Sequence, residues 1–164
     1  MKYAENVKIL PIQAPVDIVA AATATGYVHV SEALDPIEIE VLFGAIASTD
    51  STGEVVVTVE ASTAASSNAT ETAIAFKYRL SAAVATDTMG AITDAAAAGV
   101  AVANTSDSTL LLIYVQPEQL AALGADFQYL RVVETPTAEI TSTLVGAVAR
   151  YRPRYMGNSI PSAT

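Results

Sequence analysis

Few residues in this chain are equipped for chemistry, and their spacing narrows the options further. The single histidine, His29, sits in the alternating run Tyr27-Val28-His29-Val30 and shares a face with Tyr27. A general base needs a partner at hydrogen-bond distance, and nothing local supplies one, so His29 reads as an ordinary strand residue. The pairs Glu38/Glu40 and Glu54/Glu60 offer the carboxylates of a glycoside hydrolase. That chemistry also needs a cleft with sugar-stacking aromatics. The chain has no Trp, and outward strand faces account for these acids better. Asp87, Asp94 and Asp107 fall in loops that could meet around calcium, but no twelve-residue binding loop frames them. There is no Gly-x-Ser-x-Gly elbow and no Gly-rich phosphate loop ahead of a helix. With no Cys and one His, disulfides, thiolate chemistry and multi-histidine metal centres are excluded. The expectation is a non-enzymatic protein with no cofactor and no metal.

Charge points instead to a contact surface. The formal net charge is −9, yet all seventeen acids lie within residues 1–140, and residues 141–164 hold three arginines and no acid. In extended geometry Arg150, Arg152 and Arg154 share one side of the chain, with Tyr151 and Tyr155 on the other. Arginine forks and tyrosine rings suit an interface with an acidic receiver, on this subunit or another. The competing reading is a solvated basic tail. A second candidate is the run Val16-Asp17-Ile18-Val19, in which Val16, Ile18 and Val19 would add along the edge of a neighbouring subunit. Pro11 and Pro15 interrupt pairing, so residues 1–24 read as an extended arm, with an intramolecular first strand as the alternative. An acidic chain repels phosphates, so neither nucleic acid nor an anionic membrane is an expected partner.

The elements that must position these residues are strands. Ile37-Glu38-Ile39-Glu40-Val41 alternates cleanly, as do Val55, Val57 and Val59 after a polar loop, and the two segments read as a hairpin. Ile74, Phe76, Tyr78 and Leu80 mark the inward face of one long strand, with Lys77 and Arg79 outward. Residues 89–93 read as a short strand, and Asp94 followed by four Ala and Gly99 as one helical turn. Val100 and Val102 belong to a further strand, and residues 109–115 to a central strand buried on both faces. Residues 117–123 form the one helix, opened by Pro117 and stopped by Gly124. Residues 127–134 and 140–150 are the last two strands. With 7–12 and 26–30 this makes about nine or ten strands, spaced as in a sandwich or barrel. The fold expected is all-β: an antiparallel two-sheet β-sandwich, jelly-roll-like, over residues 25–152, with a C-terminal tail at 153–164.

Several stretches resemble small virion proteins of tailed bacteriophages. They are Glu5-Asn6-Val7-Lys8-Ile9-Leu10-Pro11-Ile12 with Ala14-Pro15-Val16-Asp17, then Thr72-Ala73-Ile74-Ala75-Phe76-Lys77-Tyr78-Arg79 and Thr86-Asp87-Thr88-Met89-Gly90-Ala91-Ile92-Thr93. The ending Val148-Ala149-Arg150-Tyr151-Arg152-Pro153-Arg154-Tyr155 is similar too. The resemblance is to the capsid decoration, or cement, protein family. It implies a β-sandwich on the outside of the head that braces neighbouring capsomers, with the phage major capsid protein and its own copies as partners. A homotrimer is expected ahead of a homodimer. No catalytic residue is implied. The start lacks the apolar core of a signal peptide, which fits synthesis in the host cytoplasm and a final place on the virion exterior. The competing structural reading is a tail-tube or head-completion protein. A carbohydrate-binding or adhesive sandwich module is the alternative from another class.

Overall fold

The computed structural model describes residues 7–19, 21–30, 33, 35–66, 68–81, 88–105 and 109–152. Along the chain run β1 (Lys8–Asp17), β2 (Thr23–Ala24), β3 (Val28–His29), β4 (Ile37–Phe43) and β5 (Ala47–Ser48). Then come β6 (Glu54–Ser62), β7 (Glu71–Ile74), β8 (Phe76–Leu80), β9 (Thr93–Ala95) and β10 (Val100–Ala103). β11 (Leu110–Val115), helix α1 (Pro117–Ala121), β12 (Tyr129–Pro136), β13 (Ile140–Ser142) and β14 (Leu144–Tyr151) complete the order.

Strict period-two alternation builds the core. Ile37, Ile39, Val41 and Phe43 of β4, Val55, Val57, Val59 and Ala61 of β6, and Leu111, Ile113 and Val115 of β11 are all without solvent exposure. Leu130 and Val132 of β12 and Val145, Ala147 and Ala149 of β14 are buried in the same core. With little aromatic volume to spend, the interior is filled by β-branched side chains that suit the pleated surface. Helix α1 adds Leu120, which is 1% exposed. The helix is shorter than 117–123: past Ala121 the Leu123 amide bonds the Leu120 carbonyl only three residues back, at 3.0 Å, and Gly124 leaves the helical region at φ +143°.

The strands form two antiparallel sheets packed as a sandwich. One runs β1-β14-β4-β11-β8-β9, the other β10-β6-β12-β2, with β3 also on β12 and β7 also on β6. Treating β2 and β3 as one interrupted strand, the two rows β1-β14-β4-β11 and β2/β3-β12-β6-β7 have the connectivity of a jelly roll, in which the first and last strands are neighbours. Strands β8, β9 and β10 are an insertion between β7 and β11 that widens both sheets.

Several local expectations are corrected. β4 and β6 are not a hairpin: they lie in opposite sheets, joined by a connection that includes β5, itself paired with β13. The long strand through Ile74 and Phe76 breaks at Ala75. β7 pairs with β6 while β8 pairs with β11, so the chain changes sheets within one residue. β11 is a central strand, but only one face is fully buried; Leu110, Leu112 and Tyr114 on the other are half-buried. Within the arm expected over residues 1–24, Lys8–Asp17 is a sheet strand, as in the alternative of an intramolecular first strand. β1 pairs with β14 from Lys8 opposite Tyr151 to Asp17 opposite Leu144. Its prolines are tolerated because it is an edge, and the ladder shifts register on both sides of Gln13. β2 likewise pairs with β12.

The stretch after Asp94 is not a helical turn either. Asp94 and Ala95 finish β9, and the chain turns through Ala97 and Ala98 to cross between sheets. Gly99 closes the turn with its amide on Ala96 O at 2.9 Å and φ at +91°. A Cβ there would strike the Val57 carbonyl oxygen and the Thr58 side chain. Gly99→Ala is therefore expected to cost about 2–3 kcal/mol, from backbone strain plus the clash. Ala98→Gly in the same turn should cost no more than about 1 kcal/mol. Urea unfolding midpoints compare the two; equal shifts would refute the assignment.

Candidate interaction surface

Alternation that points Ile and Val inward on sheet one points a second set of side chains outward on β1, β14, β4, β11 and β8. Along β4 these are Glu38, Glu40 and Leu42; along β14 they are Leu144, Gly146, Val148 and Arg150. The ladders set Gly146, Leu42 and Leu110 side by side, then Val148, Glu40, Leu112 and Arg79, then Arg150, Glu38, Tyr114 and Lys77. The outer face is thus apolar at one end and charged at the other.

The apolar end is a trough of about 960 Å³ lined chiefly by Pro11, Pro15, Leu42, Leu110, Leu144 and Val148. Leu42 is 59% exposed and Leu144 53%. Gly146 forms part of the floor with the Pro15 ring against it; a Cβ added there would meet Pro15 Cγ at 3.5 Å, an ordinary van der Waals contact. Beyond the rim, Arg150 Nη2 donates to Glu40 Oε2 at 2.9 Å, and Lys77 pairs with Asp94. Arg79 Nε donates to the Gly90 carbonyl at 2.8 Å. Burial, helped by the nearby Glu38 carboxylate, raises the pKa of the Tyr114 phenol above its usual value. At this charged end Lys77, Arg79 and Arg150 balance Glu38, Glu40 and Asp94, on a chain of −9.

The residues singled out from sequence divide. Arg150 is at this face, and Arg152 binds Asp35 at 2.8 Å, so both find acidic partners in their own chain. Tyr151 is not a contact residue: it is 3% exposed, turned inward by the same alternation that turns Arg150 outward. Ile18 is likewise buried at 1%, its amide bonded to Thr143 O, whereas Val16 and Val19 are exposed. Arg154, Tyr155, Asp87 and Asp107 lie outside the described residues. Leu42, Leu144 and the two prolines were not marked by sequence. Their signal is an apolar residue at an outward position, as where Leu42 follows Glu38 and Glu40 in β4.

The opposite sheet holds a closed polar cluster. Arg131 donates to Glu60 Oε2 from Nε at 2.8 Å, to the Tyr27 hydroxyl from Nη1 at 3.0 Å, and to Glu71 from Nη2. Its guanidinium also lies over the Tyr27 ring, 5.4 Å from the centroid. Burial, and then the bond to Glu71, raise the Tyr27 pKa. His29 packs edge-on against Tyr129 at 4.8 Å between ring centroids. Glu60 is thus committed to an ion pair. Among the described residues no group of three His, Cys, Asp or Glu side chains could hold a metal, and no helix is long and apolar enough to cross a membrane.

These two arginines should differ in weight. Arg131→Met leaves Glu60 and Glu71 facing each other without a cation and is expected to cost about 2–4 kcal/mol. Arg150→Met breaks a pair near solvent and should cost about 1 kcal/mol or less. Chemical denaturation of the two variants checks the order; equal losses would show that the Arg131 cluster is not a structural tie.

No protein-family model matches the chain, and no curated protein does. Among solved structures, a match is to one described as the structure of infectious bursal disease virus Gt strain, with 10% identity and a TM-score of 0.25. It takes in 90% of this chain, which spans 40% of that one. A likeness at that level carries no argument about fold or function, so the chain's reading rests on its own sequence and surface.

Proposed function

We propose that this chain is a non-enzymatic virion structural protein, a cement protein that docks on the outside of a tailed-phage head through the outer face of sheet one. The observation that carries the reading is that face: an exposed apolar trough, beside balanced charges, on an otherwise acidic molecule. Contiguous exposed apolar surface of this kind marks a protein contact. A face built on paired strands loses less conformational freedom on docking than one built on loops. Balanced charges lower the repulsion that an acidic chain would otherwise meet on approaching a lattice. The phage-like sequence stretches and the jelly-roll sandwich support the same reading. The major capsid protein is the proposed partner, the virion exterior the proposed location, and a homotrimer the proposed form on the shell.

Two measurements test it. Mass spectrometry of purified particles should find this chain in the head fraction, in fixed proportion to the major capsid protein. Recovery with tails would favour the tail-tube or head-completion reading, and absence from particles would overturn both. Heads lacking the chain should then bind the added wild-type protein but not the Leu42→Asp/Leu144→Asp variant. That variant should keep wild-type stability within about 1 kcal/mol, because both side chains already face solvent. Equal binding by the two proteins would remove the trough from the interface.

A further inference from the structure

Glu134 is the one acidic side chain fully buried among the described residues, with no solvent exposure. It sits on the inner side of β12, with Val57 of β6 opposite on one flank and Thr23 of β2 on the other. From the other sheet, Gln13 of β1 reaches across and donates its Nε2 to Glu134 Oε2 at 3.1 Å. Neither Val57 nor Thr23 ionises. The ionisable groups of β1, Lys8 and Asp17, stand at its two ends, and Asp17 is held by Ser142 and Thr143. Among the described residues no charged group acts on the carboxyl; loss of solvent is the dominant influence and the Gln13 amide the opposing one.

The remaining oxygens of the pair, Gln13 Oε1 and Glu134 Oε1, are both buried and both without a hydrogen-bond partner. Each lacks a donor, and one proton supplies it. A carboxylic acid and a primary amide close a two-bond ring: the amide N–H donates to the acid's carbonyl oxygen, and the acid O–H donates to the amide oxygen. An ionised carboxylate has no donor and leaves two acceptors facing each other.

We infer that Glu134 and Gln13 form a proton-held latch that fastens the edge strand β1 across the sandwich to β12, closed when Glu134 is protonated and opened when it ionises. β1 is suited to release. Among the described residues it has a strand neighbour on one side only, β14, and its ladder shifts register on both sides of Gln13. One further tie to the rest of the fold is the Gly26 amide on Ile12 O at 2.7 Å. Burial raises the Glu134 pKa from 4.5 to about 7, which places the switch near neutrality. The folded chain therefore keeps a proton that the unfolded chain gives up near 4.5. The latch's contribution is complete below that value and is lost as pH rises through about 7. The observations behind this inference are those of Glu134, Gln13 and β1, and it does not rest on the proposed function.

The test follows the Glu134 carboxyl carbon by NMR alongside amide exchange in β1, corrected for the intrinsic pH dependence of exchange. Glu134 should titrate near neutrality, with β1 amides exchanging up to about a hundredfold faster above that point while β4 and β11 hold. Glu134→Gln replaces the acid–amide ring with an amide–amide ring, so β1 should stay protected at every pH. Gln13→Leu should expose β1 even in acid. Titration of Glu134 in the ordinary carboxylate range, β1 protection that ignores pH, or wild-type pH dependence in Glu134→Gln would each overturn the latch. If a variant fails to fold, the wild-type titration and exchange decide the matter alone.

Discussion

The fold depends on the last strand lying between the first strand and β4. β14 pairs antiparallel on each side, with β1 from Tyr151 to Leu144 and with β4 from Arg150 to Val145. That placement closes the jelly roll, because the two ends of the described chain become neighbours in one sheet. It also sets every orientation that matters on the outer face. Once Val145, Ala147 and Ala149 are committed inward, Gly146, Val148 and Arg150 must point out, and Tyr151 must turn into the core.

An interior of Ile, Val and Leu with few rings needs close contact between the sheets, and small side chains on β14 allow it. Ala147 and Ala149 let the sheet approach its partner, while Phe43 and Phe76 fill the larger spaces. Against that apolar background Glu134 is an exception. A buried carboxyl normally brings a salt bridge, as Glu60 and Glu71 have in Arg131, whereas Glu134 has an amide. The two arrangements differ in what they ask of the solvent. The Arg131 cluster is satisfied with both acids ionised; the Glu134 pair is satisfied when its acid is neutral.

The sandwich and its short helix were legible because the pattern is period two wherever a strand is long, and Pro117 and Gly124 bracket the helix. Partner strands were not. Ile37–Phe43 and Glu54–Ser62 alternate equally well, and nothing in alternation says that they belong to opposite sheets. The break at Ala75 was hidden for a related reason: Ile74 and Phe76 both face inward, so the hydrophobic register runs on while the hydrogen bonds change sheet. The Ala run after Asp94 carried helix propensity, but Gly99 had to sit against the Val57 carbonyl, and tertiary contact overrode it. At the surface, the arginine–tyrosine segment was visible by composition, yet Tyr151 was drawn into the core and Arg150 found Glu40. The trough was harder to see, since Pro11, Leu42 and Leu144 come from three strands that only the fold assembles.

β1 joins the buried pair to the outer face. Pro11 and Pro15, which line the trough, flank Gln13, which reaches Glu134. A strand cannot hold its prolines on β14 and also leave the sandwich, so the shape of the trough and the closure of β1 are one conformational equilibrium. Any molecule that docks on the prolines must therefore favour the closed strand. By linkage, whatever favours the closed strand raises the proton affinity of Glu134, and the proton strengthens docking by the same factor. Acidification and occupancy of the outer face thus act in the same direction, although neither touches the other's atoms. The carrier of that coupling is a single edge strand, whose ladder to β14 shifts register on both sides of Gln13.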